Sequence, residues 1–168
     1  MYVKNQVVRF RIGKESFGVN IENVQEIVTL PEITKIPDAP DFLEGVINLR
    51  GRIISVIDLR KRLGITNVSA DKKNRILVTE VNGKFAGLIV DEVSEVIKLN
   101  TDDIEPPPEI VHSIGVEYIT GIGKLPDGII ILLDLSKVIT AEDIGTIHAV
   151  SEITKSFGEQ EAKNLPGF

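Results

Sequence analysis

The chain repeats itself, and that limits its fold more than any other feature. VVRFRIGKESFGVNIENVQEIVTL (7–30) lies over ILVTEVNGKFAGLIVDEVSEVIKL (76–99) without a gap, so that Gly18 falls on Gly87, Val24 on Val93, Glu26 on Glu95 and Leu30 on Leu99. A second block, LEGVINLRGRIISVIDLRKRL (43–63), lies over ITGIGKLPDGIIILLDLSKVI (119–139), matching Gly45 to Gly121, Leu49 to Leu125 and Asp58 to Asp134. The blocks run A-B-A′-B′, so whatever unit one copy builds, the other should build too. Each A block reads as two strands around a tight turn, Gly13-Lys14-Glu15 or Asn82-Gly83-Lys84. Its last segment, IENVQEIV or VDEVSEVI, suits either one helical turn or a continuing strand. Each B block reads as two strands joined by a tight turn, LRGR or LPDG, with Asp58 or Asp134 ahead of a short helical pattern.

About five short, β-branched strands per copy predict a mainly β protein built as two small barrels. Each is too small to bury much alone, so the two should pack together. The repeat assigns the first barrel to 6–64 and the second to 75–140, within a single domain spanning 1–168. The proline-bearing stretches TLPEITKIPDAPDF and NTDDIEPPPEIVHSIGVEY read as irregular connections, because proline cannot serve a central strand. Beyond them Ile144, Ile147, Val150, Ile153 and Phe157 recur at spacings of three and four, which predicts an amphipathic C-terminal helix over 141–157. The polar remainder, 158–168, reads as a flexible tail.

Composition narrows the function classes. A net charge of -6, two tyrosines, six phenylalanines and no tryptophan argue against a nucleic-acid-binding barrel, which needs a basic groove with stacking aromatics. Without cysteine there is no disulfide, thiolate nucleophile or thiolate-held metal. The opening MYVKNQVVRFRIG lacks the apolar core of a signal peptide, and no run is long enough for a membrane span, so a cytoplasmic location is expected. His112 and His148 are single and distant in sequence, and no nucleophile, base or metal cluster stands out. Gly13-Lys14-Glu15-Ser16 resembles the end of a phosphate-binding loop, but Val8 stands where its first glycine belongs. Thr101-Asp102-Asp103-Ile104-Glu105 lacks the spacing and glycine of a calcium loop. No catalysis, cofactor or metal is expected.

The repeat also separates architecture from function, since a residue the fold requires should recur in both copies. Asp58 and Asp134 recur and suit helix capping. Glu26 and Glu95 recur as well, which leaves a structural role for Glu26 beside a functional one. The turn does not recur: Asn48-Leu49-Arg50-Gly51-Arg52 stands opposite Lys124-Leu125-Pro126-Asp127-Gly128. The second is an ordinary turn sequence. The first is either a solvated charge beside a permissive glycine, or a donor-rich cluster made to pair with a protein partner.

GVINLRGRIISVIDLRKRLG, preceded by VNIENVQEIV and followed by GLIVDEVSEVIKL and YITGIGKLPDGIIILLDL, closely resembles the CheW family of bacterial chemotaxis coupling proteins over about residues 5–140. One departure is Ser55, where many members have proline, a change read as lying on an edge strand. The resemblance implies two packed five-stranded SH3-like barrels and a non-catalytic scaffold that places the chemotaxis histidine kinase under chemoreceptor control. Its implied partners are the kinase regulatory domain and the cytoplasmic tip of chemoreceptors, met at membrane-associated receptor arrays. It implies a receptor-facing groove between the barrels, lined by Val24, Glu26, Ile27, Asn48, Leu49, Arg50 and Gly51. The kinase contact would use the exposed ends of the second barrel, and the first barrel would meet a second kinase domain in ring-like arrays. Two relatives of the same fold fit less well: a coupler fused to a receiver domain needs roughly another hundred residues, and the kinase's own regulatory domain follows a catalytic domain.

Overall fold

A computed structural model describes residues 6–65, 72–109 and 118–138. The A block forms β1 (Gln6–Ile12), β2 (Glu15–Asn20) and β3 (Val24–Thr29), and the B block forms β4 (Leu43–Leu49), β5 (Arg52–Asp58) and helix α1 (Leu59–Arg62). The second copy supplies β6 (Arg75–Val81), β7 (Lys84–Val90), β8 (Glu92–Lys98), the two-residue β9 (Ile104–Glu105), β10 (Ile119–Leu125), β11 (Gly128–Leu133) and helix α2 (Leu135–Val138). The mainly β class and the two packed barrel units stand as expected. The proposed C-terminal helix over 141–157, the tail over 158–168, His112 and His148 lie outside the described residues.

The sheets do not follow the repeat. One has five strands in the order β3-β6-β7-β5-β4, and the other six in the order β8-β1-β2-β11-β10-β9. The assignment of the first barrel to 6–64 and the second to 75–140 is therefore corrected: the two copies exchange their first hairpins. The reason lies in the connections. Only the 3-10 turn Ile21–Asn23 separates β2 from β3, and only Asp91 separates β7 from β8. Asp91 alone cannot reverse the chain, and the capped 3-10 turn Ile21–Asn23 carries it onward, so each copy passes straight into the other sheet. Parallel pairs make the joins, β5 with β7 and β2 with β11.

The ambiguous segment resolves differently in the two copies. In the first, Asn20 accepts a hydrogen bond from the Glu22 backbone N–H at 2.9 Å and caps the 3-10 turn before β3 begins. Ile89 occupies the matching position in the second copy and cannot cap, and strand β8 starts directly after Asp91.

Burial follows from the exchange. Sixteen buried apolar residues form one core shared by both sheets, including Val8, Phe10, Phe17, Leu59, Leu77 and Leu88. Among the described residues, six buried side chains fill the interior of the five-stranded unit (Ile47, Ile54, Val56, Ile76, Val78, Ile89) and four that of the other (Val7, Leu99, Ile130, Leu132). Neither interior suffices alone, so the fold depends on the seam between them. At that seam Arg60 makes two hydrogen bonds to Asp58, at 2.9 and 3.0 Å, and one to Asp91 at 2.9 Å. Asp91 in turn accepts from the Gly13 N–H at 2.6 Å, tying α1 to the β1–β2 turn of the opposite sheet.

Each unit closes in the same way. After β3 the chain returns so that Thr34 and Val46 exchange backbone hydrogen bonds of 2.9 Å, and β9 pairs with β10 at the matching place. Gly45 makes the first closure feasible, because a Cβ there would overlap the Thr34 carbonyl. Ser55 is fully buried in β5, a strand paired on both sides, so the reading of that position as an edge strand is corrected. β5 is central because the exchanged β7 covers it.

Candidate functional site

The unmatched turn sits at one end of the five-stranded unit. Arg50 and Gly51 have successive positive φ values of 53° and 86°, the signature of a type I′ two-residue hairpin turn. Such turns favour Asn-Gly, and an arginine in this region costs about 1 kcal/mol of backbone strain. Asn48 holds the turn by accepting the Gly51 N–H at 2.8 Å. Arg50 reaches from it across the open seam between β4 and β3 to hydrogen-bond Glu26. That bond, with the attraction between the charges, raises the Arg50 pKa above its ordinary value.

Around this bridge opens a concavity of about 450 Å³ lined by Gln25, Glu26, Leu49, Arg50, Arg52, Ile54, Val78 and Phe85. Strand alternation explains the set. Ile54 and Val78 belong to the interior of the unit, and Leu49, Arg52 and Phe85 occupy inward-facing positions one step nearer its end. The concavity is thus the mouth of one barrel, with an apolar floor and a charged rim. Arg52 lies over the Phe85 ring, its guanidinium carbon 4.6 Å from the centroid.

The seven expected receptor-facing residues divide. Glu26, Leu49 and Arg50 line this mouth, and Asn48 and Gly51 shape the turn beside it. Val24 instead packs on the shared core, and Ile27 alternates to the opposite side of β3, where it is 42% exposed. All eight lining residues belong to the five-stranded sheet or its β4–β5 turn, so this concavity is not a groove between the barrels. Arg52 and Phe85 were not singled out from the sequence. Phe85 belongs to the second copy, and only the hairpin exchange brings it here; Arg52 was legible as the second arginine of LRGR.

The matching mouth of the other unit is filled. Position by position, Val78 is replaced by Arg9, Phe85 by Ser16, Glu26 by Glu95, and Arg50-Gly51-Arg52 by Pro126-Asp127-Gly128. Arg9 bonds Asp127 at 3.1 Å, Glu95 at 3.5 Å and the Ser16 hydroxyl at 3.1 Å. Its side chain is 17% exposed, against 71% for Arg50. Glu26 and Glu95 therefore recur for a shared reason: each holds an arginine at its barrel mouth. Asp58 and Asp134 recur as helix caps, accepting from the Arg60 and Ser136 backbone N–H groups at 3.0 Å.

Among the described residues no helix is long and apolar enough to cross a membrane. Comparison with known proteins agrees with this architecture. The CheW-like domain family matches residues 6–143. The chain is 35% identical to a chemotaxis protein CheW of Klebsiella aerogenes, over 89% of this chain and 90% of that one. It is 32% identical to a chemotaxis protein CheW of Treponema pallidum, over 83% and 84%. The crystal structure of the scaffolding protein TtCheW from Thermoanaerobacter tengcongensis superposes with a TM-score of 0.76 at 43% identity, covering 84% of this chain and 96% of that one. With the family pattern spanning both sheets and the distinctive turn, this chain belongs to the CheW family of chemotaxis coupling proteins.

Proposed function

We propose that this protein is a non-catalytic scaffold that couples chemoreceptors to the chemotaxis histidine kinase and sets the activity of that kinase in receptor arrays. One observation carries the reading: the turn that the architecture does not require, since its counterpart is Pro126-Asp127-Gly128, holds an arginine in a strained conformation at the rim of an open mouth. Strain retained at an exposed position points to a use outside the fold. Family membership supports the coupling role, and the likeness to a scaffolding protein supports the absence of chemistry.

The receptor's cytoplasmic tip meets Glu26, Asn48, Leu49, Arg50 and Gly51 at the mouth and Ile27 on the outer face of β3, with Val24 supporting that strand from the shared core, while the kinase regulatory domain meets the exposed ends of the six-stranded barrel. Two related but unequal barrels suit this division, because their mouths and edges offer distinct surfaces for recognition. The protein is cytoplasmic and reaches the membrane only through these partners. Reconstitution tests the proposal: kinase from the same organism is mixed with receptor-bearing vesicles, with and without this protein, and autophosphorylation is followed. The protein is expected to change the kinase rate only when receptor is present, and to make that rate respond to receptor ligand. An unchanged rate in the complete mixture contradicts the proposal.

A further inference from the structure

We infer that the open mouth of the five-stranded barrel is a docking pocket for an apolar side chain neighboured by a carboxylate on the receptor tip, with Arg52 as the cation that reads the carboxylate. This rests on the coupling function proposed above, and adds to it the chemistry of the partner and two residues, Arg52 and Phe85.

The internal repeat supplies the comparison. In the six-stranded unit two carboxylates, Glu95 and Asp127, satisfy Arg9 from within, and Arg11 beside it pairs with Glu92. In the five-stranded unit Glu26 is already held by Arg50, and Arg52 stands beside that pair at the rim. Among the described residues no carboxylate pairs with Arg52, whose only close partner is the face of Phe85. Lying over the ring, the guanidinium keeps N–H groups available to bond a carboxylate. A guanidinium without a carboxylate, beside an apolar floor of Leu49, Ile54 and Val78, is complemented by a partner segment that carries an apolar side chain next to an acidic one. Valine in place of arginine removes the internal occupant, and phenylalanine in place of serine supplies the ring over which Arg52 lies.

The test titrates the full-length protein with the cytoplasmic tip fragment of a chemoreceptor from the same organism, following thermal midpoints in parallel. Arg52→Gln is expected to weaken binding about tenfold or more with the midpoint unchanged. Phe85→Ser, which installs the residue of the filled mouth, is expected to do the same, whereas Asp127→Asn at the other mouth leaves binding at the wild-type level. Changing each acidic residue of the tip to lysine in turn should yield one variant that fails on the wild-type protein and regains binding to Arg52→Glu. Wild-type binding of the tip with Arg52→Gln and Phe85→Ser both unaffected overturns the inference and leaves the coupling function standing. Equal loss in Asp127→Asn also overturns it, by moving the contact to the other barrel. No binding of the tip by the wild-type protein overturns the receptor contact and the inference together.

Discussion

Three basic side chains of the first B block, Arg60, Arg50 and Lys61, behave differently because their surroundings differ. Arg60 is buried, and its pKa is raised chiefly by its hydrogen bonds to Asp58, against the opposing cost of burial. Replacing it with methionine leaves Asp58 buried without its countercharge, so Arg60→Met should destabilise the fold by about 3 kcal/mol in a denaturant titration. Arg50 makes only an exposed pair, and the type I′ turn prefers asparagine. Arg50→Asn is therefore expected to leave the thermal midpoint unchanged or slightly raised. Lys61 bonds Glu44 at 2.6 Å, which raises its pKa above the ordinary lysine value of 10.5. A raised folded-state pKa stabilises fully below that value and is lost as pH climbs through the folded one. The stability difference between the wild type and Lys61→Met should hence stay constant across neutral and mildly alkaline pH and shrink only above about 10.5. A difference that fades already near neutrality contradicts this assignment.

At the scale of elements, glycines govern how each sheet closes. Gly45 has a φ of 149°, and a Cβ there would run into the backbone carbonyl of Thr34. Its counterpart Gly121 is less crowded: a Cβ there would stand 3.0 Å from the Ile104 side chain and 3.2 Å from the Glu105 carbonyl. Gly45→Ala should therefore cost about 2 to 4 kcal/mol, and clearly more than Gly121→Ala, in parallel denaturant titrations. Equal costs would show that the Thr34 bridge contributes little. The sequence made the strands, the turns and both aspartate caps legible, because alternation, glycine placement and capping chemistry are local. It left the segment after β2 ambiguous because Asn20 is a cap only if the chain bends there, and Ile89 in the other copy offers no cap. β9 escaped notice because two residues carry no periodicity.

At the scale of the molecule, the repeat disclosed two units but not which strands compose them. Sequence similarity reports common descent of segments, whereas sheet membership depends on whether a connection can turn back, and Asp91 alone cannot. That is why Arg50, Glu26 and Leu49 were found from the sequence and Phe85 was not. The exchange predicts that residues 1–71 expressed alone show no cooperative unfolding, since their sheet lacks β6 and β7, and that adding 72–168 restores it. Independent folding of the first piece would contradict the shared core. The exchange also sets the two mouths on either side of one shared core, one filled by Arg9 and one open, which gives a scaffold two unlike faces. The most direct measurement of the central claim is calorimetric titration of the receptor tip fragment into wild type and Arg50→Asn, with the thermal midpoints of both. The account predicts a weaker complex, by roughly 1 to 3 kcal/mol, from a protein at least as stable. Unaltered affinity, or a fall in stability with binding intact, would make the arginine a part of the fold and not of the function.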